Sequence, residues 1–232
     1  MQIFPKSLNA LPAVAAVALA TLGGGVTFVF WYYFTPKHLQ VGYQPTQPVP
    51  YSHRLHAGEM GMDCRYCHTN VEKSAVAMVP PTQTCMSCHS LVKTESAKLA
   101  KIRDSWAKDQ PVEWVKIHKV PEHAYFPHQA HVNAGVGCVS CHGRIDQMEV
   151  VKQVEPLSMA WCLDCHRNPT PHLRPVDQVT NMEWKDDPNH PYEKPKVCDT
   201  TQVSGPGVYQ VASLNMKERV LCPPQNCSGC HR

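Results

Sequence analysis

Five copies of Cys-x-x-Cys-His constrain this chain more than any other feature. They run Cys64–His68, Cys85–His89, Cys138–His142, Cys162–His166 and Cys227–His231. Two thiols three residues apart, followed at once by an imidazole, form the attachment signature of a c-type haem. The thiols make thioether bonds to the porphyrin, and the His offers a proximal nitrogen to iron. The cofactor-binding candidates are therefore Cys64, Cys67, Cys85, Cys88, Cys138, Cys141, Cys162, Cys165, Cys227 and Cys230. The proximal metal ligands are His68, His89, His142, His166 and His231.

Zinc is the competing reading. Cys-x2-Cys pairs 17 residues apart (first and second motifs) and 20 apart (third and fourth) fall in the zinc-ribbon range. Zinc does not account for a His directly after every second Cys. His makes up only 14 of 232 residues, so composition does not supply that recurrence. A redox dithiol needs no His at all. The pattern favours five covalently attached haem c groups, and a chain carrying them is suited to moving electrons. No catalytic residue is expected.

Ten of the twelve Cys belong to the motifs, leaving Cys198 and Cys222. Haem attachment takes place on the outer face of an energised membrane, where disulfides persist. A Cys198–Cys222 bridge therefore stands beside the alternative of two buried thiols. The formal charge is +3, but each haem adds two propionates against a ferric porphyrin, about −1 in net. The loaded chain would be slightly acidic. There is no basic stripe or arginine cluster, which excludes nucleic-acid binding as a function class.

Leu11 to Phe34 is a stretch of 24 residues without a charge. As a helix it would run about 36 Å against the ~30 Å hydrocarbon core of a bilayer. Trp31, Tyr32 and Tyr33 lie where interfacial anchors lie. Ala18-Leu19-Ala20 resembles a signal-peptidase site, yet fourteen apolar or uncharged residues follow it, which favours a retained anchor. Gly23, Gly24 and Gly25 permit close helix packing, or are merely small residues in a membrane helix. The motifs must be exported, so the haem domain is expected on the periplasmic face of the bacterial cytoplasmic membrane. His38, just outside the anchor, is placed to take a proton from quinol, although such residues are more often simply solvated.

The exported part contains a repeat. Tyr51-Ser52-His53-Arg54-Leu55-His56 precedes the first two motifs, and Phe126-Pro127-His128-Gln129-Ala130-His131 precedes the third and fourth. A low-spin haem needs a second axial ligand. Two His three residues apart on a helical turn point to neighbouring directions, so one pair can serve two haems. His53, His56, His128 and His131 are the distal candidates. His118 is preferred over His123 as the fifth, with Met60, Met62, Met78 and Met159 as possible alternatives. Residues 94–108 read as a packing helix with Leu99, Ile102 and Trp106 on one face. Thr82 and Ser158 sit where N-caps would serve, and residues 145–154 suggest a short strand. The Pro-rich stretch after Pro169 is expected to wrap the haem domain or lie across another subunit, rather than pack a core of its own.

The fold class expected is an N-terminal transmembrane helix followed by a mainly α, loop-rich multihaem cytochrome c domain with little regular sheet. Its parts are a cytoplasmic N-terminus (1–10), the anchor (11–34), a linker (35–50), a first dihaem repeat with its packing helix (51–110), a second dihaem repeat (111–168) and a C-terminal arm ending in the fifth motif (169–232).

The residues carry a resemblance over about 10–232. The anchor, the segment Tyr51-Ser52-His53 through His56, and Pro80-Pro81-Thr82-Gln83-Thr84-Cys85 are similar to the membrane-anchored pentahaem cytochrome c subunit of alternative complex III. Trp114 through His118, Tyr125 through His131, Trp161 through Pro169 and Asn226 through Arg232 extend the likeness. Residues 175–223 lie outside it. The resemblance implies partners: an iron–sulfur subunit, polytopic quinone-site subunits, and a monohaem cytochrome c or copper protein as acceptor, or an oxidase directly. It also implies the place of His118 before the second pair. Two other readings compete: a stand-alone membrane-anchored quinol dehydrogenase feeding a periplasmic reductase, and a multihaem reductase. The last needs a haem with an open position, and the many His outside the motifs argue against it.

Overall fold

The computed structural model describes residues 5–198 and 220–231. The chain begins with a 3₁₀ turn at Lys6–Ala10 that runs into α1, Leu11–Tyr33. Pro12 near the helix start costs nothing there, because the first turn has no intrahelical acceptor for its missing N–H. The span has a mean hydropathy of 2.0 and no part of it is buried. An apolar helix exposed all round is a membrane anchor in its solvent preference. In mid-span the Thr21 hydroxyl donates to the Val17 carbonyl at 2.9 Å, as a polar group in lipid requires. Beyond Tyr33 comes α2, Pro36–Leu39, which sets His38 edge-on to Tyr33 with ring centres 5.0 Å apart.

Every Cys-x-x-Cys-His lies on a helical turn. These turns are α3 (Cys64–Cys67), α4 (Thr82–His89), α7 (Val139–His142), α8 (Met159–Arg167) and α9 (Cys227–Cys230). Between them run α5 (Ala100–Lys108) and α6 (His128–Ala134). Among the described residues, sheet is confined to two residues each of β1 (Lys196–Val197) and β2 (Val220–Leu221), paired in parallel. The mainly helical, loop-rich class expected from the sequence is what the chain adopts.

The local rules explain most boundaries. Ser158 caps α8 by accepting from Trp161 N at 3.3 Å, as expected. Gly135 ends α6 in the left-handed region at φ +91, the backbone state that costs Gly least. Three local expectations need correction. Thr82 is inside α4, not its cap; its hydroxyl instead pairs with Ser105 Oγ at 2.6 Å and ties α4 to α5. The packing helix proper begins at Ala100: residues 94–95 lie in a turn, Ser96 is extended and Ala97–Leu99 is a 3₁₀ turn, with the Thr94 and Ser96 carbonyls accepting from Arg103. On its apolar face Ile102 is buried, but Trp106 is half exposed. Residues 145–154 form no strand. Ile145–Gln147 is a 3₁₀ turn, and Gln153 exchanges backbone bonds with Gly42 and Tyr43 of the linker.

The most deeply buried large side chains are Leu173 and Val179. They lie in the Pro-rich stretch and clasp the third motif. Arg174 N donates to Gly135 O at 2.9 Å, and Cys138 N donates to Val179 O at 3.0 Å. This part of the C-terminal region therefore packs on the turn at residues 135–138 and not on itself, in line with a stretch that wraps the haem domain. Farther on, Cys198 and Cys222 form a disulfide with Cα atoms 5.2 Å apart.

Candidate functional site

A helical turn places residues i, i+3 and i+4 on one face. Each motif therefore presents both thiols and its imidazole together. The bond that closes the turn recurs: His68 N to Cys64 O at 2.9 Å, His142 N to Cys138 O at 3.0 Å, and His231 N to Cys227 O at 2.8 Å. At α3 the start is fixed by Asp63, whose carboxylate accepts from Arg65 N at 2.8 Å.

The His rings are held by backbone carbonyls. A carbonyl oxygen only accepts, so each such contact makes the ring Nδ1 the protonated nitrogen and leaves Nε2 as the lone-pair donor. Four proximal candidates are held this way. His68 donates to Met78 O at 2.7 Å, His89 to Val92 O at 3.0 Å, His166 to Pro224 O at 2.6 Å and His231 to His123 O at 3.2 Å. Three distal candidates match them: His56 to Ser52 O at 2.8 Å, His128 to Ala75 O at 2.8 Å and His131 to Pro127 O at 2.9 Å. None of these acceptors is a side chain, so sequence reading had no signal for them.

The rings also meet in pairs. Two imidazoles joined through one iron at ~2 Å per bond have ring centres about 6 Å apart. His56 and His89 are 6.3 Å apart, His131 and His166 are 6.1 Å apart, and His128 and His142 are 6.5 Å apart. The second His of each repeat thus faces the second motif of its own repeat. His53 lies by His68. Burial, and then the neighbouring His68, hold its pKa down to about 4.

His142 is ringed by other imidazoles. Burial first, then His118, His128, His68 and His53 around it, hold its pKa down to about 3. His118 stands 4.4 Å from it, edge to face, closer than a shared iron allows. The buried His53 Nδ1, His118 Nε2 and His142 Nδ1 have no hydrogen-bond partner. At the fifth motif the neighbour is His123, its ring stacked on His231 at 5.5 Å. Because the Nδ1 of His231 faces the backbone of residue 123, its Nε2 faces away from it. His123, the alternative to His118 in the sequence reading, thus stands beside the fifth motif. His38 remains at the end of the anchor, against Tyr32 and Tyr33.

The motifs follow one another in space as second, first, third, fourth and fifth. Tyr51 touches both His53 and His56, which joins the first two motifs. Thr180 donates to Asp63 at 3.0 Å while its neighbour Val179 holds Cys138, which joins the first to the third. The pair His128 and His131 joins the third to the fourth. Pro224 and Gln225, which bond His166, join the fourth to the fifth. The thiols agree. In the unmodified chain, burial and then Cys138 push Cys64 up to about 11. Burial and then Cys165 push Cys141 up to about 12, and burial and then Cys230 raise Cys162.

These residues fit haem c. Paired thiols and free Nε2 atoms share a face, and unpartnered imidazole nitrogens are buried among them. Few side chains form a dry core: among the described residues, the buried hydrophobics are Val49, Ile102, Val132, Leu173 and Val179. No three His, Cys, Asp or Glu side chains converge among the described residues as a zinc cluster would need.

The fold and these sites define a single-pass, membrane-anchored helical chain organised around repeated haem-attachment turns. No protein-family model matches it. Over 118 residues it is 32% identical to the multihaem cytochrome c subunit of the menaquinone reductase of Nitratidesulfovibrio vulgaris. The match covers 50% of this chain and 54% of that protein, so the chain spans about half the length of the curated relative it matches.

Proposed function

We propose that this chain is a pentahaem c-type cytochrome subunit of a quinol-oxidising membrane complex of the alternative complex III kind. In this reading it carries electrons along the outer face of the cytoplasmic membrane. The observation that supports it most is the set of seven His rings whose Nδ1–H is tied to a carbonyl, five of which belong to three ring pairs about one iron apart. Bound haem c supplies reversible one-electron exchange at iron.

The chain's own residues supply the rest. Cys64 through Cys230 in the five motifs hold the five groups. His68, His89, His142, His166 and His231 give the proximal nitrogens, His53, His56, His128 and His131 give four distal ones, and His118, too close to His142 to share its iron, is the candidate for the fifth. The carbonyls of Met78, Val92, Pro224, Ser52, Ala75 and Pro127 fix the tautomers. The helix Leu11–Tyr33 keeps the row beside the bilayer. The chain itself transforms no substrate. Its partners in this reading are an iron–sulfur subunit, polytopic quinone-site subunits and a soluble monohaem cytochrome c or copper protein.

A second reading is favoured by the relative's name. In it the same cytochrome role serves a complex that reduces menaquinone. Purification from the native membrane separates the readings. Copurifying polytopic and iron–sulfur subunits, with quinol-dependent reduction of a soluble acceptor, support the first. Electron flow only from a reduced periplasmic donor to menaquinone supports the second. Quinol oxidation by the isolated chain would instead mark a stand-alone dehydrogenase.

A further inference from the structure

Each repeat opens on an aromatic residue, Tyr51 in the first and Phe126 in the second. Tyr51 stacks on His56 with ring centres 4.5 Å apart at 22°, and meets His53 edge-on at 4.8 Å and 86°. Phe126 stacks on His131 at 4.6 Å and 30°, and meets His128 edge-on at 4.8 Å and 83°. The arrangement is the same to within a few tenths of an ångström. The backbone beneath it is not: His56 lies in a π-helical turn, Arg54–Glu59, whereas His128 and His131 lie in the α-helix α6. The shared ring geometry is therefore not inherited from a shared backbone. The common element is the aromatic ring.

A single hydrogen bond from Nδ1 fixes a tautomer and a direction, but leaves the imidazole free to rotate about that bond. His56 and His131 each have that one bond, to the carbonyl four residues earlier. An aromatic face laid across the imidazole removes the remaining rotation. For His53, whose Nδ1 has no partner, the edge contact with Tyr51 is the described restraint on ring plane.

We propose that Tyr51 and Phe126 are positioning residues, each setting the ring planes of the two distal His of its repeat, and that the ring and not the Tyr51 hydroxyl does this. The proposal rests on the haem reading above. The plane of an axial imidazole determines how the d orbitals of low-spin ferric iron split, so it is read directly in the electron paramagnetic resonance g-values. A residue that only fills space does not move them.

The experiment uses the full-length chain in detergent. Haem content of the parent is measured first, by pyridine haemochrome. Tyr51→Leu and Phe126→Leu are each expected to keep five haems and a low-spin visible spectrum while shifting the g-values of two of the low-spin signals. The two variants should affect different pairs. Tyr51→Phe is expected to match the parent. If a Leu variant does not mature, Tyr51→Met or Phe126→Met, of similar reach without a ring, takes its place. Unchanged g-values in the ring-less variants overturn the proposal even if thermal stability falls. So does a Tyr51→Phe spectrum shifted as far as that of Tyr51→Leu. A parent without haem overturns the haem reading itself, which the first measurement reveals separately.

Discussion

His166 of the fourth motif donates its Nδ1 proton to the carbonyl of Pro224, 58 residues later, at 2.6 Å. Three residues beyond Pro224 the fifth motif begins, and two residues before it Cys222 is bridged to Cys198. One short segment thus holds the fourth motif's imidazole, starts the fifth motif and is pinned by a covalent bond.

Breaking that pin should loosen both ends. The bridge joins residues 24 apart in sequence, for which chain entropy gives a stabilisation of ~3 kcal/mol. Cys198→Ser together with Cys222→Ser should lower the urea midpoint of the solubilised chain accordingly. It should also perturb the spectrum of the haem at the fourth motif more than that of the second. An unchanged midpoint would mean that the Pro224 contact holds without the disulfide.

The paired rings predict ligand-specific losses. His56→Ala, His128→Ala and His131→Ala should each turn one haem high-spin and leave all five attached. The three variants should perturb the second, third and fourth motifs in turn, since their partners are His89, His142 and His166. Absorbance and electron paramagnetic resonance of the oxidised proteins provide the check. A parental spectrum removes that His from the ligand set.

The folded sites were partly legible in the sequence. Cys-x-x-Cys-His is a local pattern, and a helical turn is all that is needed to bring its three side chains together, so the five turns follow directly. The Ser158 cap followed from the same short-range logic. What failed was long-range or depended on backbone atoms. The carbonyls of Met78, Ala75 and Pro224 have no side-chain signature. Leu173 and Val179 looked like members of a structureless Pro-rich run, because their packing partner lies at residues 135–138. Trp106 fitted an apolar stripe, but it stays half exposed, while α5 meets α4 through the Ser105–Thr82 bond. His118 was singled out by its place before the second pair, and the structure sets it beside His142, leaving His123 beside the fifth motif.

Met78 holds His68 through its carbonyl while its own φ is +63. A β-branched side chain is least tolerant of that backbone. Met78→Val should cost about 1–2 kcal/mol, and Met78→Gly should be neutral or stabilising. Urea titration of the three proteins reads the order directly. Equal midpoints would show that the turn relaxes freely.

Asp63 predicts an acid dependence. The side-chain hydrogen bond from Arg65 leads in holding its pKa down to about 2, from 3.8. A folded value below the unfolded one means the carboxylate stabilises the fold above 3.8, and that contribution is lost as pH falls toward about 2. Because the side chain is 42% exposed, solvent screens the pair and the effect is modest. The thermal midpoint of Asp63→Asn, which keeps a capping oxygen, should therefore fall less than the parent's across that window. Parallel curves would show that the Arg65 pair contributes nothing.

The haem-to-protein ratio tests the central claim most directly, measured by pyridine haemochrome beside a metal analysis of the same purified chain. The account predicts five covalent haems and five irons per chain, with no stoichiometric zinc. A colourless chain, or one whose ten motif thiols hold zinc, would contradict it.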